Sequence, residues 1–212
     1  MTSYTIVIGN KNYSSWSMRA WLALKATGVS FKEVNIVLRQ KDSKQNILQY
    51  SPSGSVPMLF IDNRPVWDSL AIAETLAEQF PDAKLWPTET AARMHARSAS
   101  AEMHSSFQAL RSKHPMEMSK REIMRPDADV HLDINRIEQI WREARGQFGI
   151  SAGGPFLYGN FTIADAMYAP VVSRFITYGF TLSDTSKHYM DAIVNLPIFQ
   201  EWYQAALKET AL

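Results

Sequence analysis

The stretch Pro81–Pro87 divides this chain into two unlike halves, and that change of character limits its architecture more than any other feature. Before it, strand signals alternate with helix signals. Thr5 to Ile8 is a β-branched run ended by Gly9-Asn10, the pattern of a buried strand followed by a turn. Ser17 to Ala26 carries Met18, Trp21, Leu22 and Leu24 at helical spacing, and Gly28 stops it. Phe31 to Leu38 predicts a second strand and Lys44 to Tyr50 a short polar helix. Pro57 to Ile61 and Pro65 to Trp67 flank Asp62-Asn63-Arg64, a tight hairpin connection. Ser69 to Phe80 places Leu70, Ala73, Leu76, Ala77 and Phe80 on one helical face, and Pro81 ends it. The predicted order is β-α-β-α-β-β-α.

After Pro87 only helical patterns remain. Thr88 to Lys113 predicts one long helix, Asp129 to Phe148 a second, Thr162 to Tyr178 a third and Pro197 to Lys208 a fourth. Thr162-Ile163-Ala164-Asp165 has the form of a capping box with aspartate at its third helical position, a structural helix start. Pro170 is expected to kink or break that helix. Gly153-Gly154 precedes Pro155 and suits a turn, not a phosphate loop. The chain therefore divides into an α/β unit over 1–81 and an all-α unit over 88–212, ordinary sizes for two domains.

Composition removes several classes of function. The 212 residues are 46% hydrophobic and 20% charged, which suits a globular chain. A net charge of +1 argues against nucleic-acid binding driven by a basic field. The basic cluster from Lys113 to Arg125 is broken by acids and methionines and suits a solvated surface. With no cysteine, disulfides, thiolate metal sites and cysteine nucleophiles are excluded. The five histidines form no i, i+3 or i, i+4 pair, so no metal site is expected. Neither a signal-peptide pattern nor an apolar run of membrane-spanning length is present, and a cytoplasmic protein is expected.

Three segments carry candidate chemistry. Tyr13-Ser14-Ser15-Trp16-Ser17-Met18-Arg19 is a hydroxyl-rich loop opening a helix. Ser53-Gly54-Ser55-Val56-Pro57 holds a backbone edge beside a proline that has no N–H to donate. Val66-Trp67-Asp68-Ser69 runs a strand into a helix through an acidic-serine step, where the helix N-terminus favours a carboxylate. Together they outline a cleft for a small peptide: a hydroxyl, a free backbone and an anion site. Plain helix capping by Ser15 and by Ser69 is the competing reading.

These segments, with Gly159-Asn160-Phe161-Thr162-Ile163-Ala164-Asp165, give the whole chain a resemblance to the cytosolic glutathione transferases. Ser14-Ser15-Trp16-Ser17-Met18-Arg19 is similar to the Ser-Ser-Cys segment and following arginine of the zeta class, which includes maleylacetoacetate isomerases. The resemblance implies a thioredoxin-like N-terminal domain and a helical-bundle C-terminal domain carrying the co-substrate pocket. It implies a glutathione co-substrate, no metal, a small electrophilic partner molecule, a homodimer and a role in detoxification. It places thiolate stabilisation on Ser14 first and Ser15 second, with Tyr13 a rival, since a hydroxyl donating to sulfur lowers the thiol pKa. It implies a cis Val56–Pro57 bond whose backbone pairs with the cysteinyl unit like an added strand. Ser69 would take the γ-glutamyl carboxylate and Asp68 the α-ammonium group. Gln40, with Arg39 and Lys44, would lie near the glycyl carboxylate.

Trp16, Met103, Phe107, Tyr168, Arg174 and Phe175 are the candidates for the co-substrate pocket, with plain core the competing reading for the apolar ones. Two departures from the zeta pattern weaken an isomerase assignment. Trp16 stands in place of the cysteine, and the zeta arginine associated with the substrate carboxylate has no clear match. Arg174 lies about one turn nearer the Ala164-Asp165 motif, on the same helical face. The expected activity is thiolate attack on an electrophile. The alternatives are glutathione-dependent cis–trans isomerisation and a module that binds without turnover.

Overall fold

The computed structural model describes residues 2–209, so positions 210–212 of the expected helical unit lie outside the described residues. Four strands, β1 (Tyr4–Gly9), β2 (Lys32–Ile36), β3 (Met58–Ile61) and β4 (Arg64–Trp67), form one sheet in the order β2-β1-β3-β4. β1 runs parallel to β2 and antiparallel to β3, and β3 is antiparallel to β4. The hairpin turn is tighter than expected. Asp62 and Asn63 alone make it, both at positive φ (47° and 65°), and Arg64 already belongs to β4. That backbone matches the right-handed twist of the strands it joins.

Helices α1 (Ser15–Ala26), α2 (Ser43–Leu48) and α3 (Ser69–Gln79) complete the first half. The second half holds α4 (Thr90–Ser105), α5 (Gln108–Lys113), α6 (Ala128–Ala144), α7 (Ile163–Tyr178), α8 (Asp184–Val194) and α9 (Pro197–Glu209). α1 packs against α3 on one side and α7 on the other, so almost all of it is buried. Met18, Trp21, Leu22 and Leu24 are all in its core-facing set, each contributing about 1.5–3 kcal/mol of burial. The loop that opens α1 is thereby fixed between the two halves.

The expected helix over 88–113 is two helices. The chain turns at Phe107, a non-glycine residue in the left-handed region (φ 64°), and the buried ring holds it there. The carbonyls freed at the end of α4 are not orphaned: the Arg111 guanidinium donates to those of Met103 and His104. α7 runs through Pro170 without the break that was one of the two expected effects, packed on α1 and α4. α6 ends in a π-helical turn, Arg145–Gly149, and α8 appears where no helix was expected.

The linker is docked, not loose. Pro81–Ala83 forms a 3-10 turn, Leu85 and Trp86 are buried, and the Leu85 carbonyl accepts from Ile163 N at 2.8 Å. The far end of the chain also returns to the first half. Trp202 of α9 packs edge-on against Trp21 (5.3 Å between centroids) and donates to the Lys11 carbonyl at 2.9 Å. The Glu209 carboxylate accepts from Lys11 N at 2.9 Å and Asn12 N at 3.1 Å. Among the described residues no helix is long and apolar enough to cross a membrane.

Candidate active site

Two adjoining cavities lie where α1, the Ser53–Pro57 loop and the start of α3 meet the second half. The smaller, about 190 Å³, is lined by Trp16, Ser53, Ser55, Val56, Pro57, Asp68 and Ser69. The larger, about 430 Å³, is lined among others by Tyr13, Ser14, Ser15, Trp16, Val56, Arg111, Met116 and Arg174. Trp16, Ser55 and Val56 border both, so the two form one cleft with Trp16 at its waist.

In the smaller part, the Val56–Pro57 peptide is cis. Among the described residues, no turn or loop hydrogen bond uses the Val56 amide or carbonyl. Asp68 is the N-cap of α3, not Ser69 as the capping alternative supposed. Its Oδ1 accepts from Leu70 N at 2.9 Å and Ala71 N at 3.3 Å, and its backbone sits at φ 71°. Its other oxygen lies 3.2 Å from His104 Nε2. Ser69, the first helical residue, is only 1% exposed, and its hydroxyl has no hydrogen-bond partner. A buried, unpaired hydroxyl at a helix N-terminus is costly to the fold and well placed for an anion.

In the larger part the two serines differ. Ser14 is the N-cap of α1, the role the capping alternative gave to Ser15. Its Oγ accepts from Ser17 N at 3.3 Å and donates to Ser17 Oγ at 2.7 Å. Ser17 Oγ in turn accepts from Gly9 N at 3.0 Å. The Ser14 hydroxyl proton is thus engaged inside the protein. Ser15 Oγ instead accepts a long hydrogen bond, 3.4 Å, from Arg174 Nη2, which leaves its own proton to donate.

The cleft is also rich in guanidinium. Arg174 is buried and held by the carbonyls of His114 (3.0 Å) and Pro170 (3.2 Å). Arg19 lies against the Trp16 ring at 4.4 Å and Arg111 at 4.8 Å, the geometry of cation–π contacts. Burial pushes the Arg174 pKa down to about 10, with the Arg111 charge adding to it. Burial lowers Arg19 well below its ordinary value, aided by Arg111 and Arg174, against a weaker pull from Asp68. Arg111 is lowered by burial and supported by Asp133. A region that penalises its own cations gains from an incoming anion.

The remaining expected residues fall elsewhere. Gln40 and Lys44 are exposed and line neither cavity; the Gln40 amide donates to Ser43 Oγ at 2.8 Å. The Arg39 guanidinium lies over the Tyr13 ring at 4.0 Å. Met103, Phe107, Tyr168 and Phe175 belong to the hydrophobic core and border neither part of the cleft. Sequence reasoning did not single out Arg111 or His104. Arg111 depends on the turn at Phe107, which carries no glycine or proline to announce it, and His104 on the packing of α4 against the start of α3. Among the described residues, no group of three or more potential ligands is arranged to hold a metal ion.

Residues 13–79 match the model of the glutathione S-transferase N-terminal domain, and residues 128–205 match that of the C-terminal domain. A probable glutathione transferase from Aplysia californica is 34% identical over 82 residues, covering 39% of this chain and 87% of that protein. The chain belongs to the glutathione S-transferase family, enzymes that use glutathione as co-substrate. Within the family it is similar to a probable maleylacetoacetate isomerase from Caenorhabditis elegans, at 25% identity over 192 residues, 87% of this chain and 86% of that one. The structure of a bacterial zeta-class maleyl pyruvate isomerase shares the fold, with TM-score 0.73 at 20% identity over 95% of this chain and 97% of that one.

Proposed function

We propose that the cleft binds glutathione with its γ-glutamyl end in the smaller part and its thiol at Ser15, and activates the thiol as thiolate for attack on a small electrophile. The observation that carries this reading is the contrast between the two serine hydroxyls. The Ser14 proton is committed to Ser17, whereas Ser15 is free to donate and sits beside the Arg174 charge. A donor and a nearby cation both favour thiolate over thiol. Ser14 then acts by shaping the loop, which reverses the order given by the resemblance.

The unpaired Ser69 hydroxyl and the α3 N-terminus suit the γ-glutamyl carboxylate, and the second Asp68 oxygen suits the α-ammonium group. The Val56 backbone suits the cysteinyl amide. Under this reading residues 1–81 carry the glutathione site, and the helical half, 88–212, supplies Arg111 and Arg174 for the co-substrate. Their charges suit an electrophile bearing a carboxylate. That feature, with the C. elegans relative, favours isomerisation as the second reading: the thiolate adds to a double bond, the bond rotates, and the thiolate leaves. Conjugation consumes glutathione and isomerisation does not.

A homodimer and a cytoplasmic, detoxifying role complete the proposal. An exposed Trp67 (56%) at the edge of the sheet, beside a hollow lined by Pro52, Ser53 and Pro65, supports a subunit contact there. The test is calorimetric titration with glutathione and S-methylglutathione, followed by turnover of Ser15→Ala. Retained affinity with kcat reduced about ten- to hundredfold is expected. No binding at millimolar ligand would sink the proposal.

A further inference from the structure

His104 stands at the end of α4, in the helical half, yet its side chain reaches the cap of α3 in the other half. Its Nε2 lies 3.2 Å from Asp68 Oδ2. Its Nδ1 is buried and has no partner. Its ring meets Trp16 edge-on at 5.1 Å, and its backbone carbonyl accepts from Arg111 at 3.1 Å. With one nitrogen against a carboxylate and the other against nothing, the neutral tautomer protonated at Nε2 donates to Asp68 and leaves no buried N–H unpaired.

We propose that His104 is a positioning residue that holds the Asp68 carboxylate ready for the α-ammonium group of glutathione, and that its protonation weakens glutathione binding. This rests on the assignment of Asp68 to that ammonium group. Asp68 uses one oxygen to cap α3, so only the other is left for the ligand, and its rotamer is what His104 fixes. A neutral imidazole donates one hydrogen bond and leaves the carboxylate charge available. An imidazolium spends that charge on itself and repels an ammonium group at the same oxygen.

The groups facing His104 are Asp68 from the start of α3, Arg19 from α1 and Arg111 from α5. Burial, with the two guanidiniums, holds its pKa below the ordinary histidine range against the opposing pull of Asp68. The device is therefore silent at neutral pH and acts as the solution becomes acidic. Glutathione's carboxylates and ammonium group keep their charges between about pH 5 and 7.5, so the ligand does not add its own titration there.

The experiment is calorimetric titration with S-methylglutathione, which has no thiol to ionise, at pH 7.5 and 5.0 for wild type and His104→Gln. Glutamine can donate the same hydrogen bond but cannot gain a proton. The wild-type Kd is expected to rise about three- to tenfold at the lower pH, while that of H104Q stays level and close to the wild-type value at pH 7.5. His104→Leu, which removes the donor, is expected to bind more weakly at both values. In turnover the part of the acid effect that H104Q removes falls on KM for glutathione, while the fall in kcat from protonation of the bound thiolate is shared by both proteins. Parallel pH curves for wild type and H104Q would overturn the proposal while leaving the glutathione site standing. Absence of wild-type binding at both pH values would overturn the site itself, and the proposal with it.

Discussion

Helices α3 and α7 begin with similar chemistry and end up with opposite purposes. At α7, Thr162 and Asp165 form a closed capping box. The Asp165 carboxylate accepts from Thr162 N (2.8 Å), Thr162 Oγ1 (2.9 Å) and Leu157 N (3.1 Å), and it is wholly buried. At α3, Asp68 caps in a strained backbone conformation, half of its carboxylate faces the cleft, and Ser69 is buried with nothing to bond. The first terminus is complete within the protein; the second leaves a buried hydroxyl unfinished beside the cleft. Under the proposed reading, an unfinished polar group next to a cavity marks the site where residue type alone does not.

Breaking the finished terminus should have the largest effect. Asp165→Ala orphans two backbone N–H groups in the core, and a loss of about 3–5 kcal/mol is expected in urea denaturation, with unchanged affinity in the fraction still folded. The pH dependence sharpens the same contrast. Burial raises the Asp165 pKa from 3.8 to about 6, so the folded state holds that proton more tightly than the unfolded chain. Its contribution to stability is therefore fully present below about pH 4 and is lost as pH rises through 6, by about 3 kcal/mol at most. Asp165→Asn removes this slope from a plot of unfolding free energy against pH; an unchanged slope would refute the assignment. At the unfinished terminus the balance inverts. Ser69→Ala is expected to stabilise the ligand-free protein by about 1 kcal/mol, since it removes a buried unpaired hydroxyl, while raising the Kd for glutathione about three- to tenfold. A destabilised protein with normal affinity would show that Ser69 belongs to the scaffold after all.

Much of this was legible in the chain. The β-α-β-α-β-β-α order, the change to helices alone after Pro87 and the capping box all follow from local pattern, because Gly, Pro, Ser and Asp act through near neighbours. What local pattern could not supply is whatever depends on packing. Phe107 adopts a left-handed turn because its ring is buried, and that turn brings Arg111 to the cleft, while His104 reaches Asp68 from the end of α4. α8 was missed because its first turn and more, Asp184 to His188, is wholly polar and its apolar residues fall within the short stretch Tyr189 to Val194. Pro170 signals a break, yet α7 continues because its neighbours enclose it almost completely. The serine pair was visible, but which hydroxyl keeps its proton free depends on Ser17 and on Arg174, 159 positions away from Ser15.

The contacts of α9 bear on how the molecule is assembled. The loop that delivers Ser14 and Ser15 into α1 starts at Lys11 and Asn12, whose amides are held by a carboxylate 198 and 197 positions further on. During synthesis the first eighty or so residues can pair their strands early, since those contacts are local by comparison. The loop itself still waits for a helix that emerges nearly two hundred residues later. A nascent first half, however well formed its sheet, would therefore not yet present its serines as the finished protein does, and reactivity toward glutathione would be the last property to mature.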